Sequence, residues 1–139
     1  MKLKSKKAII TGGSRGLGKA TAIAFAKKGI DVAITGRNEK RLKETVAELK
    51  ALGVNATYEI FDVGNYEEVK QGIKNIIARL GSVDILVNNA GIAAFGSLNE
   101  MEVSQWTAIM QTNVMGMYYV TKEVLPYLIE KNEGDIINV

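Results

Sequence analysis

A glycine-rich segment near the start of the chain most strongly constrains its fold. The apolar run over residues 7–10 leads into Thr-Gly-Gly-Ser-Arg-Gly-Leu-Gly at residues 11–18, and a helical pattern begins at Lys19. A glycine-rich turn between a strand and a helix presents backbone N–H groups at the positive end of the helix, where phosphate binds. Because the turn stands at the first strand-to-helix junction of a repeating pattern, it predicts a phosphate cradle; a purely structural tight turn is the alternative.

The rest of the chain continues this alternation of strands and helices. Short β-branched apolar runs predict parallel strands near residues 7–12, 31–36, 56–61, 83–88 and 134–139. Helical patterns cover residues 16–29, 38–52, 65–80 and 103–131. The pattern predicts an α/β fold, a Rossmann-type doubly wound parallel sheet with strand order 3-2-1-4-5, truncated after the fifth strand. A ligand is expected in the crevice between strands 1 and 4.

Local signals mark the ends of the predicted helices. Asn38 and Asn65 are suited to cap the second and third helices. Pro126, the only proline, is expected to kink the long last helix or to begin its final turn. Glycines are expected to end the first three helices: Gly29, Gly53 and Gly81.

Composition narrows the chemistry. The 139 residues fit one domain and include no cysteine and no histidine, so no metal site built on those side chains is expected. Any general acid or base must then be Tyr, Lys, Asp or Glu. The net charge of +3 is small and its basic residues are scattered, so nucleic acid is not expected as a partner. Neither the basic start, residues 1–7, nor any apolar run resembles a signal peptide or a membrane span, and the lack of cysteine favours the cytoplasm.

Four motifs in order carry a family resemblance. They are the glycine segment 11–18, Asp62 at the end of the third strand, Asn-Asn-Ala-Gly at residues 88–91, and Asn113 in the long helix pattern. Together they resemble the short-chain dehydrogenase/reductase family over the whole chain. Within that family the chain looks most similar to 3-oxoacyl-acyl-carrier-protein reductases and related carbonyl reductases.

The resemblance implies that residues 1–139 form an incomplete Rossmann domain, for which the arginine at the end of the second strand makes NADP(H) the expected coenzyme. Gly12 permits the tight turn, while Gly16 and Gly18 allow close approach to a pyrophosphate. The predicted coenzyme-binding residues are Gly12, Ser14, Arg15, Gly16, Leu17, Gly18, Arg37, Asp62, Val63, Asn89, Ala90 and Gly91.

Several of these positions have alternative roles. Asp62 is suited to accept from the adenine amino group, or to cap the following helix. By the resemblance, Asn89 and Ala90 border the adenosine and its ribose; Asn88 and Asn89 are equally suited to be buried amides that tie neighbouring strands together.

The choice between NAD and NADP depends on the end of the second strand. An NAD-selective site has an acidic residue about 20 positions past the glycines, where this chain has Gly36, Arg37 and Asn38. Glu39 is expected to lie already on the helix. Arg37, with Arg15 beside it, is suited to bind a 2′-phosphate, which favours NADP(H); solvated surface arginines are the alternative.

The resemblance implies a catalytic Ser and a Tyr-x-x-x-Lys pair after the fifth strand, and neither segment occurs before Val139. Asn113 is the one predicted catalytic-group residue present; local bending of its helix is the alternative. Tyr118 and Lys122 match Tyr-x-x-x-Lys literally, but their position before the fifth strand favours an aromatic packing or interface stripe.

We therefore expect the N-terminal part of an NADP(H)-dependent oxidoreductase that is inactive by itself. Its complete form would act on a carbonyl, alcohol or acyl-carrier-bound substrate. An exposed edge at strand five and uncovered apolar faces favour a homo-oligomer. A non-catalytic dinucleotide sensor is the alternative, and a flavodoxin-like or receiver-type domain is a weaker one.

Overall fold

A parallel sheet of five strands forms the centre of the molecule. The computed structural model describes residues 3–139; Met1 and Lys2, part of the basic start of the chain, lie outside the described residues. The strands are β1 (Lys7–Thr11), β2 (Asp31–Gly36), β3 (Ala56–Ile60), β4 (Ile85–Asn88) and β5 (Asp135–Asn138). Their order is β3-β2-β1-β4-β5 and every pairing is parallel, which confirms the predicted fold class.

The helices connect successive strands and begin and end close to the predicted positions. They are α1 (Gly16–Lys27), α2 (Glu39–Ala51), α3 (Tyr66–Leu80), α4 (Val103–Met110) and α5 (Gly116–Lys131). Asn38 accepts from the Arg41 amide at 3.0 Å and Asn65 from the Glu68 amide at 3.3 Å, so both predicted caps are confirmed. The predicted terminating glycines all have positive φ, at Gly29, Gly53 and Gly81.

Two apolar layers cover the two faces of the sheet. One layer packs α1 and α2 against residues such as Ile10 and Ile34, and the other packs α3 and α5 against residues such as Ile9 and Leu86. Alternate residues of one strand thus enter opposite layers, as expected for a sheet buried on both faces. No helix among residues 3–139 is long and apolar enough to cross a membrane.

The long helix predicted over residues 103–131 is interrupted. A π-helical turn, Gln111–Met115, separates α4 from α5, and a short 3₁₀ turn, Leu98–Glu100, precedes α4. The prediction of one uninterrupted helix was therefore wrong over residues 111–115, where side chains of the π turn bond to other parts of the chain. Pro126 lies inside α5, which continues past it to Lys131.

Candidate functional site

A cavity of about 370 Å³ opens at the carboxyl end of the sheet, where β1 and β4 lie side by side. This is the topological switch point at which ligands bind in open parallel sheets. Of the thirteen residues predicted to form the site, eleven line this cavity: Gly12, Ser14, Arg15, Gly16, Leu17, Arg37, Asp62, Val63, Asn89, Ala90 and Gly91.

The glycine turn is shaped by contacts that exclude side chains. Gly12 and Gly16 have φ of 66° and 55°, a region that glycine adopts without strain. Gly18 does not line the cavity but supports it from behind, because a Cβ there would lie 2.2 Å from the Gly12 carbonyl oxygen and 2.4 Å from Asn89 Nδ2. The first turn of α1 is therefore pressed directly against the loop that leads into it.

The N-terminus of α1 faces this cavity without a side-chain cap. Arg15 is the residue before the helix and provides no capping hydrogen bond, and the first turn contains no acidic residue. In α2 and α3 the side chains of Asn38 and Asn65 fill this role. The free N–H groups of α1 can therefore bind an anion in the cavity.

Three arginines give the neighbouring rim a positive charge. Arg15 precedes α1, Arg37 follows β2, and Arg41 lies in the first turn of α2; all three line the cavity. Glu39 does not line it: its carboxylate accepts from Tyr58 Oη at 3.1 Å and pairs with Lys43 Nζ at 3.2 Å. Hydrogen bonds from Lys43 and then Tyr58 hold the pKa of Glu39 below its ordinary value, so this carboxylate is engaged away from the rim.

A tight turn after β3 forms the opposite wall. Asp62 Oδ1 accepts from the Gly64 amide at 2.9 Å, and the Asp62 carbonyl accepts from the Asn65 amide at 3.0 Å. Asn65, not Asp62, caps α3, so the capping role considered for Asp62 belongs to its neighbour. Val63 packs so closely on α5 that a Cβ at Gly116 would lie 2.6 Å from its Cγ2.

The two asparagines at the end of β4, Asn88 and Asn89, are fully and partly buried and connect strands. Asn88 Nδ2 donates to Asn138 Oδ1 at 2.9 Å and to Thr121 Oγ1 at 3.0 Å. Asn89 Nδ2 donates to the carbonyls of Thr11 and Gly12 at 3.1 and 3.2 Å. The strand-tying roles considered for both residues are thus present, and Asn89 also holds the glycine turn in place.

Asn113 lies in the π turn and fastens the loop that follows β4. Its Oδ1 accepts from the Ile92 amide and its Nδ2 donates to the Ile92 carbonyl, both at 2.8 Å. A second cavity of about 110 Å³ lies beside Asn113, Asn88 and Met117. Asn113 therefore connects the π turn to the loop at the edge of the main cavity. Such π-helical turns are frequent at functional sites.

Comparison with known proteins places this geometry in a family. Residues 6–139 match the family described as short chain dehydrogenase. The chain belongs to the short-chain dehydrogenase family. It is 33% identical to a 3-oxoacyl-acyl-carrier-protein reductase from Thermotoga maritima, covering 100% of this chain and 56% of that protein.

Solved structures of two dehydrogenases share the fold. An NAD⁺-bound xylitol dehydrogenase matches with a TM-score of 0.95 and 29% identity over 99% of this chain and 54% of its own. An alcohol dehydrogenase from Thermococcus sibiricus complexed with 5-hydroxy-NADP matches with a TM-score of 0.91 and 32% identity, over 96% and 57% of the two chains. The chain therefore spans about half the length of the relatives it matches.

The literal Tyr-x-x-x-Lys match lies away from both cavities of this short-chain dehydrogenase chain. Tyr118 is exposed, and Lys122 Nζ lies 5.6 and 5.8 Å from the ring centroids of Tyr66 and Tyr118. Tyr66 donates to Glu123 Oε1 at 2.6 Å, which raises the pKa of Tyr66 to about 12. These contacts fit the aromatic stripe expected from the sequence.

Sequence reasoning missed several residues around the main cavity. Arg41 follows Arg37 by four positions, and the Asn38 cap indicates that the helix begins between them, so this arginine was detectable from the sequence. The other lining residues that were not predicted stand next to predicted residues or at the end of β2: Thr35, Gly36, Asn38, Phe61 and Thr112.

Proposed function

We propose that residues 1–139 are the coenzyme-binding part of an NADP(H)-dependent carbonyl reductase or alcohol dehydrogenase. The observation that carries this proposal is the joint placement of an uncapped helix N-terminus and three arginines around one cavity. Such a site suits a ligand with a diphosphate and a further phosphate. Membership of the short-chain dehydrogenase family supports the same conclusion.

The residues present fit a nicotinamide dinucleotide. Gly12 and Gly16 leave room for backbone amides to approach the pyrophosphate, since both have the positive φ that glycine tolerates. Ser14 and Leu17 lie on the same wall. On the opposite wall, Asp62 would accept from the adenine amino group, with Val63, Asn89, Ala90 and Gly91 around the adenosine and the adjoining part of the coenzyme.

NADP(H) is the proposed form of the coenzyme. Arg37 stands where an NAD-selective site carries a carboxylate, and Arg15 and Arg41 line the same rim. Guanidinium groups bind phosphate through charge-assisted, often bidentate hydrogen bonds. Glu39 is held by Lys43 and Tyr58 and is poorly placed to bind a ribose hydroxyl.

In a complete protein that continues beyond these residues, the coenzyme would supply a hydride to a carbonyl carbon or accept one from the carbon bearing an alcohol oxygen. Within residues 3–139, no Tyr-x-x-x-Lys pair lies at the cavity. Asn113 positions the loop at Ile92 and would support a catalytic group contributed by residues outside this range. We therefore propose that residues 1–139 bind coenzyme but do not turn over substrate by themselves.

The substrate class is proposed from the relatives. A carbonyl, alcohol or acyl-carrier-bound substrate agrees with the names of the similar proteins, among them the Thermotoga maritima 3-oxoacyl-acyl-carrier-protein reductase. We infer that the apolar segment after Gly91 contributes to substrate binding, since Ile92 lines the main cavity and Phe95 is exposed a few residues further on. A cytoplasmic location is proposed with this activity.

The proposed function is tested by titrating the intact protein with NADPH and NADH while following nicotinamide fluorescence. Tighter binding of NADPH than of NADH is the expected result. Binding of NADPH without any reductase activity toward carbonyl substrates would instead indicate a dinucleotide sensor. Absence of binding to either coenzyme would overturn the proposal.

A further inference from the structure

Gln111, the first residue of the π turn, reaches the far wall of the main cavity. Its side-chain Nε2 donates to the Gly64 carbonyl at 2.8 Å and to Tyr119 Oη at 3.3 Å. A carbonyl oxygen only accepts hydrogen bonds, so the NH₂ group of the amide must face Gly64. Gln111 itself does not line the cavity, and its role must pass through the turn it holds.

Gly64 connects this contact to the carboxylate of Asp62. The Gly64 amide donates to Asp62 Oδ1 at 2.9 Å, which fixes one oxygen of the carboxylate and leaves Oδ2 for a ligand in the cavity. Gln111 and Asp62 are therefore both hydrogen-bonded to Gly64, one to its carbonyl and the other to its amide. Moving Gly64 would turn the carboxylate.

The turn is clamped at two adjacent points by the helical layer. Val63 is buried against Gly116, which admits no Cβ, and Gly64 is held by Gln111. The Val63 contact depends on packing and remains when the Gln111 amide is removed. Loss of that amide therefore frees Gly64 selectively while the rest of the turn stays packed.

We propose that Gln111 is a positioning residue that orients the Asp62 carboxylate toward the amino group of a bound adenine. This inference rests on the proposed function, which places the adenosine of the coenzyme against Asp62. Gln111 thus sets how strongly the site distinguishes adenine from a base that lacks the amino group.

The experiment compares two coenzymes in the intact protein: NADPH and its hypoxanthine analogue, in which an oxygen replaces the adenine amino group. The unsubstituted protein is expected to bind NADPH about tenfold more tightly than the analogue, the range of a hydrogen bond to a charged acceptor. Gln111→Met keeps the length of the side chain but removes its hydrogen-bond donor. Gln111→Glu presents only acceptor oxygens to the Gly64 carbonyl. Both variants are expected to reduce the preference to about twofold or less, mainly by weakening NADPH binding.

Gln71→Glu is the matched control, because Gln71 lies on α3 and bonds to Asn75, away from the cavity. This control should keep the full preference for NADPH. Asp62→Asn should lose it, and adding Gln111→Met to Asp62→Asn should cause no further loss, since both changes act on one contact.

The outcomes separate the two proposals. If the unsubstituted protein binds neither coenzyme, the proposed function fails and the inference falls with it. If it binds NADPH but shows no preference over the analogue, the inference and the adenine contact proposed for Asp62 are overturned, while coenzyme binding stands. If the Gln111 variants keep the preference, only the inference is overturned. Unfolding of both Gln111 variants, seen as loss of their thermal transition, would also overturn it by making Gln111 a structural residue.

Discussion

Single glycines differ in what they do for the site, although they share one turn. At Gly18 an added Cβ would lie 2.2 Å from the backbone oxygen of Gly12, whereas at Gly16 it would meet nothing within 4 Å. Gly16 instead needs its positive φ, which costs an L-residue about 1 kcal/mol. Gly18 is therefore required by close packing, and Gly16 by its backbone conformation.

This difference predicts unequal effects of alanine. Gly18→Ala should lower the free energy of unfolding by about 2–3 kcal/mol, because backbone and helix must move apart. Gly16→Ala, the control within the same turn, should cost about 1 kcal/mol. Urea unfolding of both variants measures the difference, and equal losses would contradict the close packing described for Gly18.

Under the proposed function, we expect Arg37 to be the residue that most directly sets the preference for NADPH over NADH. Arg37→Asp should lower the ratio of NADPH to NADH affinity by about tenfold to a hundredfold, since a carboxylate repels a 2′-phosphate and accepts from a ribose hydroxyl. Fluorescence titration with both coenzymes measures this ratio. Lys70→Asp, the same charge change at an exposed position on α3, should leave it unaltered. An equal change in both variants would mean that net charge alone sets the preference.

At the scale of elements, Asp84 joins β1, β4 and the end of α5. It is 6% exposed, accepts from the Lys7 amide at 2.8 Å, pairs with Lys131, and lies 3.7 Å from Lys6 Nζ. Burial acts to raise the pKa of Asp84, but hydrogen bonds from Lys131 and the Lys7 amide outweigh it and hold the pKa below its ordinary value. The carboxylate is thus stabilised in its charged form at the amino-terminal end of the strands, and the cavity lies at their carboxyl end.

This lowered pKa gives stability a defined pH dependence. The contribution of Asp84 is fully present above its unfolded-state pKa near 4 and is lost as the pH falls through the lower folded-state value. Asp84→Asn should lower the free energy of unfolding by about 1–3 kcal/mol at pH 7. Chemical unfolding should show a smaller difference in the free energy of unfolding between the unsubstituted protein and Asp84→Asn at pH 3 than at pH 7. A difference that does not change with pH would show that the charge of Asp84 does not stabilise the fold.

The whole molecule carries an apolar stripe along α4 and α5. Exposed residues recur at helical spacing there: Trp106, Met110, Val114, Met117, Leu125 and Ile129. An exposed apolar stripe of this kind is typical of a protein interface. We propose that the intact protein forms a homo-oligomer through it.

Disrupting the stripe should separate the subunits. Leu125→Glu combined with Ile129→Glu should shift the intact protein from oligomer to monomer in sedimentation velocity, because charges would be buried without partners. Leu52→Glu, at an exposed leucine after α2, is the control and should leave the assembly intact. A monomer before any substitution would contradict the proposal, as would an assembly insensitive to the paired change.

Sequence patterns predicted local features of the fold and site well. The Asn38 and Asn65 caps and the three terminating glycines each depend on a few neighbouring residues, and the structure contains them all. The π turn was missed, because its side chains bond to partners far along the chain: Gln111 to Gly64, 47 positions away, and Asn113 to Ile92, 21 positions away. Such pairings leave no periodic trace in the sequence.

The alternation of strands and helices and the glycine turn could be predicted from the sequence, because they follow from hydrophobic period and backbone freedom within short segments. The strand order could be predicted as well, because strand–helix–strand units cross over with one hand and doubly wound sheets share a common order. Which side chains meet across the cavity depends on tertiary packing and could not be predicted. That packing engages Glu39 with Tyr58 and brings Gln111 to the turn that holds Asp62. Those contacts depend on how whole layers pack against the sheet, and packing sums interactions from residues distant in the chain.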